Sequence, residues 1–203
     1  MTYESTYFLV TLADAKLYLD ITSSDAATEN MCGQLLACVV YWMERYTKRK
    51  LKNRTLTEYY NGSGRERLFL KNYPINSTAA EIKLYDDLDG AFGADTQFAS
   101  ADIRIESDPG IVALVSSVFT EGIQNIKVEY EAGYAHSTDP VPYDLVLCSY
   151  ELLGYIWQRR TTKAWAHTGI NILQGGITVL DSGAPKIARD LLDPYVSHWK
   201  AAS

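Results

Sequence analysis

The spacing of apolar residues changes twice along this chain. It is helical, about one per 3.6 residues, up to about residue 48, then alternating from Arg54 to Glu131, then helical again after Asp139. Each period commits the backbone to a different regular structure, so neither an all-helical bundle nor a pure β-sandwich satisfies the whole pattern. The expected fold class is α+β, with an antiparallel β segment inserted into a helical protein. The expected parts are residues 1–53 (N-terminal helical part), 54–133 (inserted β domain) and 134–203 (C-terminal helical part ending in a tail).

The helical starts carry capping chemistry. Thr11 precedes Leu12-Ala13-Asp14, an N-cap followed by an acid in the first turn, and Leu12, Ala15 and Leu19 share a face. Ser23-Ser24-Asp25 opens a longer helix running to Tyr46 or Lys48, with a stripe of Met31, Leu35, Val39, Met43 and Tyr46. Trp42 lies off the centre of that stripe, either at the core edge or at a subunit contact. Asp139-Pro140-Val141-Pro142 begins another helix, with Leu145, Cys148, Leu152, Tyr155 and Ile156 on one side and an end near Arg160. A last helix follows Ser182-Gly183-Ala184-Pro185 and carries Ile187, Leu191 and Leu192, and Asp193-Pro194 restarts or kinks it.

Between the helical parts the sequence predicts a hairpin, with Leu56, Glu58 and Tyr60 turning at Asn61-Gly62-Ser63-Gly64 into a returning strand, Arg65–Leu70. Further strands read at Glu81–Tyr85, Asp102–Glu106, Ile111–Val115 and Asn125–Glu131, separated by turns at Asp86–Gly90 and Ser107–Gly110. Such spacing suggests a small antiparallel sandwich or barrel-like sheet. A short strand is also expected at Ile177–Leu180, after Gly175-Gly176.

Apolar residues make up 47% of the 203, enough for a true core and too many for a disordered tail. The 15 tyrosines suit surfaces that are soluble first and buried in a partner later. A net charge of -6 argues against gripping nucleic acid through its phosphates. The basic clusters, Arg45 to Arg54 and Arg159, Arg160 and Lys163, fall at expected helix C-termini, where the dipole favours cations. Met1–Val10 lacks the pattern of a signal peptide, and no apolar run reaches the length of a membrane span. Cys32, Cys38 and Cys148 lie in apolar helical patterns and read as reduced core residues of a cytosolic product. The sequons at Asn53, Asn61 and Asn76 are then expected to be idle.

The search for chemistry returns little. His136, His167 and His198 have no partner at metal-ligand spacing, and no Cys-x-x-Cys occurs. Asp87 and Asp89 before Gly90 would need an acid at position 85 and a Glu at 96 to form a calcium loop, but Tyr85 and Thr96 stand there, so a hairpin turn is expected. No nucleophile elbow, phosphate loop or dinucleotide fingerprint appears, and Gly175-Gly176 precedes a strand rather than a helix. The chain reads as an assembly protein and not an enzyme.

Five stretches carry a likeness: Leu12–Ile21, Tyr46–Leu51, Asn125–Tyr134, Val141–Leu145 and Leu191–Tyr195. In this order over nearly the whole chain they resemble the phage head-to-tail connector proteins, the adaptors beneath the portal of tailed phages. The resemblance implies a helical adaptor core packed side by side into a ring continuous with the portal channel, a homo-oligomer matching the portal's twelve-fold symmetry. It implies the portal protein and a stopper or tail-completion protein as partners. DNA would pass through the channel without sequence-specific binding, with no membrane, cofactor or catalytic residue involved. The implied place is the virion neck, after assembly in the host cytoplasm. Compact members lack a large β segment, so residues 54–133 look like an elaboration.

A partner interface is expected at Trp42, Trp165, Ile170, Ile172, Leu173, Tyr195 and Trp199. The polar run after Arg160 holds isolated large apolar groups, too sparse for a core and too apolar for a linker, and the resemblance points to C-terminal docking on the portal. Two other readings compete: another virion or tail structural protein, or a module binding carbohydrate or peptide on a platform of Tyr59, Tyr60, Tyr73 and Tyr85. The absence of metal spacing yields a direct expectation: EDTA leaves the melting temperature unchanged. A drop on chelation would make the turn at Asp87 and Asp89 an ion site.

Overall fold

The computed structural model describes residues 5–22, 25–137, 139–161 and 184–197. They fall into two compact units, one of residues 5–48 and 141–196, the other of residues 49–140 with Ser197. The chain is α+β, as its pattern predicts.

The helical unit holds α1 (Leu12–Tyr18), α2 (Ala26–Thr47), α3 (Tyr143–Thr161) and α4 (Lys186–Leu192). The caps form where the sequence places them: the Thr11 hydroxyl accepts from the Asp14 N–H at 3.1 Å and Asp25 from the Thr28 N–H at 2.8 Å. Lys48 ends α2 in the left-handed region, at φ 59°. The buried stripe of α2 is Cys32, Leu36, Val39, Val40 and Met43. That is rotated from the expected one: Met31, Leu35 and Tyr46 lie on its half-buried shoulder. The reason is that α2 packs against α1, α3 and α4, so more than one side of it is contacted. Leu145, Cys148, Leu152 and Leu153 of α3 and Ala188 and Leu192 of α4 complete this core.

The second unit is built from β1 (Arg54–Gly62), β2 (Arg67–Phe69), β3 (Lys83–Asp86), β4 (Ile103–Glu106), β5 (Ile111–Leu114) and β6 (Gly122–Ala132). Two antiparallel sheets form, in the orders β1-β6-β3 and β2-β5-β4. One core of buried residues draws on both sheets, among them Tyr60, Leu68, Leu84, Val112, Ile126 and Val128. The Ser107–Gly110 turn joins β4 to β5 as a hairpin.

The hairpin at Asn61–Gly64 does not form. β1 pairs along its length with β6, from Arg54↔Ala132 to Tyr60↔Ile126, while β2 belongs to the other sheet. Gly62 is needed for a different reason: a Cβ there would come 1.7 Å from the Thr120 carbonyl oxygen. Asn125, fully buried, fixes this end, accepting from the Gly62 N–H at 2.9 Å and donating to Asp86 and to the Thr120 carbonyl at 2.9 and 2.8 Å. The Asp86–Gly90 turn is likewise no hairpin between strands. Asp87 accepts from the Asp89 and Phe92 N–H groups, opening a longer loop that returns to β3 through a single bridge, Tyr85↔Gln97. The expected strand at Ile177–Leu180 lies outside the described residues.

One polar network sits within the β core. Glu58 accepts from the hydroxyls of Tyr60 and Tyr130, each at 2.5 Å, and from the Asn72 amide at 2.9 Å. Burial, followed by nearby negative charge, holds both tyrosines well above their ordinary value of 10. The linkage has a definite sign. Below pH 10 folded and unfolded tyrosines are both protonated and stability is full. Above it the unfolded chain releases protons the folded one keeps, so stability falls by up to about 1.4 kcal/mol per pH unit per tyrosine. Urea melts between about pH 8 and 11 should show this decline, and Tyr60→Phe should lessen its slope. A stability flat across that range would contradict the network.

Candidate functional site

A polar cleft of about 430 Å³ opens in the β unit, lined by Glu81, Lys83, Glu129, Glu131 and His136 among others. Its chemistry is that of a structural surface. Glu129 is held below the usual carboxylate range chiefly by Lys127, whose ammonium lies 2.6 Å away, and Glu81 by the Thr78 backbone N–H and hydroxyl. Neither is tuned upward to serve as an acid at neutral pH. His136 approaches Glu131 at 3.6 Å, but the nearby Ser77 hydroxyl accepts from the Glu131 N–H at 2.7 Å and holds the segment to β6. Among the described residues, no cluster of three or more His, Cys, Asp or Glu side chains is arranged to hold a metal.

Of the residues expected at an interface, Trp42 and Tyr195 are described, and Trp165, Ile170, Ile172, Leu173 and Trp199 lie outside the described residues. Trp42 is half-buried and stacks on Tyr46 at 5.3 Å, and the Tyr46 hydroxyl donates to Asp193 at 2.6 Å. Asp193 starts the short turn that ends at Tyr195, whose hydroxyl donates to Asp144 at 2.6 Å. Tyr195 thus ties the turn to α3, and Trp42 packs on the tyrosine that ties it to α2.

The exposed apolar groups of the helical unit are others. Tyr143, Leu147, Tyr150 and Gly154 follow each other on one face of α3 at three- and four-residue steps. Tyr18 of α1 covers the far half, stacking on Tyr150 at 4.8 Å and lying 3.3 Å from where a side chain on Gly154 would begin. The near half is open, with Tyr143 86% and Leu147 41% exposed, and Leu17 beside Tyr18 is 77% exposed. The signal for this stripe was present in the sequence: both residues fall off the buried Leu145–Cys148–Leu152 face.

The tyrosine platform dissolves. Tyr60 and Tyr85 are buried, Tyr59 packs on Phe92 at 5.5 Å, and Tyr73 lies under the Arg49 guanidinium at 4.0 Å. Arg49 is not a helix-terminal cation either: it is buried in the β unit and donates to the Tyr73 carbonyl and the Tyr134 hydroxyl. Arg45, Arg159 and Arg160 do occupy last helical turns.

The comparisons with known proteins decide the matter. Residues 8–196 match the family described as head completion protein. The chain belongs to that family. As a head completion protein it is a structural component of a phage-like particle. Solved chains share the fold across 100% of this chain and 96% of their own. One comes from the neck of an empty gene transfer agent particle computed with C6 symmetry (TM-score 0.64, 17% identity). A second is from the virion of the native particle (0.64, 15%) and a third from its neck computed with C12 symmetry (0.63, 16%). Among curated proteins none matches.

The cysteines allow a simple check of this geometry. Cys38 is exposed, against the expectation that all three were core residues, because it lies on the solvent side of α2 with Gln34 and Tyr41. Cys32 and Cys148 are fully buried, and burial pushes the Cys148 thiol up to about 12. A thiol reagent should therefore label Cys38 rapidly in the native protein and the other two only after unfolding. Equal rates at all three would contradict the packing of α2.

Proposed function

We propose that this chain forms a homo-oligomeric ring beneath the portal, joins the capsid to the tail and continues the DNA channel, without enzymatic activity. The observation that carries the reading is the family match over residues 8–196 joined to a fold shared with chains of a neck computed with C12 symmetry. The physics supports it. A closed ring needs heterologous contacts, in which one face of a subunit meets a different face of the next. The open half of the α3 stripe, Tyr143 and Leu147, offers one such face. A net charge of -6 suits a channel through which DNA slides without gripping.

The portal and a stopper or tail-completion protein are the proposed partners, met after synthesis in the host cytoplasm. The segment from Lys163 onward, with Trp165, Ile170, Ile172, Leu173 and Trp199, is proposed to dock on the portal, with Trp42 and Tyr195 at its root. Residues 54–133 are proposed to form an elaboration of the helical adaptor.

Mixing the purified chain with its cognate portal and imaging in negative stain tests this reading. Rings stacked coaxially on the portal are expected, and Trp165→Ala and Trp199→Ala should each keep the fold yet weaken attachment by about 2 kcal/mol or more. Full attachment by both variants would overturn the docking assignment, and failure of the whole chain to bind the portal would overturn the function.

A further inference from the structure

β1 is an edge strand with unused backbone groups. In β6 the Glu131 carbonyl accepts from the Asn76 N–H and the Asn125 carbonyl from the Asp87 N–H, both at 2.8 Å, so its odd-numbered residues turn toward the β3 side. Alternation in an antiparallel ladder then gives Ile126, Val128 and Tyr130 to β1, where they face Tyr60, Glu58 and Leu56. Thr55, Thr57 and Tyr59 of β1 turn their N–H and C=O groups outward, and no backbone bond to them is formed among the described residues. The opposite edge of the same sheet differs: β3 is capped by the Tyr85↔Gln97 bridge and by the Phe98 N–H donating to the Leu84 carbonyl at 2.9 Å.

A bare edge invites strand addition, and proteins blunt such edges with lysine, proline, bulges or inward-pointing charges. No lysine, proline or bulge interrupts Thr55–Tyr59, where threonine and tyrosine favour pairing, and its inward charge, Glu58, is held by Tyr60, Tyr130 and Asn72. The chain also holds a segment suited to fill it. Ile177-Thr178-Val179-Leu180 has the β-branched pattern of a strand, follows two glycines and lies outside the described residues. Paired with β1, Ile177 and Val179 would extend the core beside Leu56, which is only partly covered at the core's rim. Thr178 and Leu180 would then lie with Thr57 and Tyr59, the latter 47% exposed. Residues 162–183, leaving α3 and returning to α4, can reach out about 36 Å.

We propose that the edge of β1 receives the Ile177–Leu180 segment of a second copy, so that each subunit donates one strand and accepts one. This rests on the ring reading, because a ring gives every copy one neighbour on each side. Main-chain hydrogen bonds supply the affinity and the alternating side chains the register.

The test uses the full chain, free and in rings. Thr57→Pro removes an outward N–H that the sheet does not use, and Thr178→Pro alters the donor while leaving β1 intact. Each should cut the fraction of rings at least ~10-fold at equal concentration, with circular dichroism and melting of the monomer unchanged. Hydrogen exchange at Thr55, Thr57 and Tyr59 should slow at least ~10-fold on ring formation. Rings at wild-type yield from both variants, or edge amides that exchange equally fast in ring and monomer, overturn the pairing alone. Protection already present in the dilute monomer would assign the edge to the chain's own segment and also overturns it. Failure of the wild-type chain to form rings would overturn the ring reading and the pairing together.

Discussion

The pairing of β1 with β6 is the constraint on which the β unit depends. It joins residues far apart in sequence, Arg54 to Ala132, so the insertion leaves and re-enters the helical chain at neighbouring points. Past the strands a parallel bridge, Lys52↔Tyr134, adds to this closure, with the Asn53 N–H donating to the Tyr134 carbonyl and the Tyr134 N–H to that of Leu51. Gly133, at φ 117°, passes so close to Lys52 that a side chain there would meet its carbonyl carbon at 2.7 Å. Register follows from the same ladder: Leu56, Glu58 and Tyr60 face inward with Ile126, Val128 and Tyr130, and a slip of one residue would exchange them for Thr57, Lys127 and Glu129. Removing Glu58 from this face would leave two buried hydroxyls and an amide short of an acceptor, each at about 1–3 kcal/mol.

The helical unit solves a different problem. Its short helices, α1 and α4, cannot bury much area alone, and each is fastened to the longer ones by polar clamps as well as by packing. Lys16 reaches Glu29 at 2.7 Å, Tyr46 reaches Asp193, and Tyr195 reaches Asp144. Among its described residues the uncovered surface includes large apolar and aromatic groups, Leu17, Tyr41, Tyr143 and Ile187 among them. Open apolar groups of this size are what protein partners cover.

Much of the fold was legible in the sequence because its signals were local. Thr11 and Asp25 cap the helices they precede, Pro142 stands just before α3, and the alternation of β6 is plain from Asn125 to Glu131. Pairing was not legible. Asn61-Gly62-Ser63-Gly64 is a strong hairpin signal, but the close approach of Thr120 and the anchoring by Asn125 come from residues some sixty positions away. Burial around α2 was misjudged for a related reason: a single stripe presumes one neighbour, and α2 has several. The candidate surface was read from isolated large residues. Trp42 and Tyr195 are engaged within their own unit, whereas Tyr143, next to a proline and outside the buried face, is the most open of that unit's described aromatics.

The central proposal is that this chain is a ring component of a virion neck, with a β unit closed by its own first and last strands. Cryo-electron microscopy of the intact particle tests it most directly. The account predicts symmetric density at the junction of portal and tail into which both units fit, repeated once per subunit around the channel. A neck reconstructed without this fold, or the same fold found only on the capsid shell or at the tail tip, would contradict it.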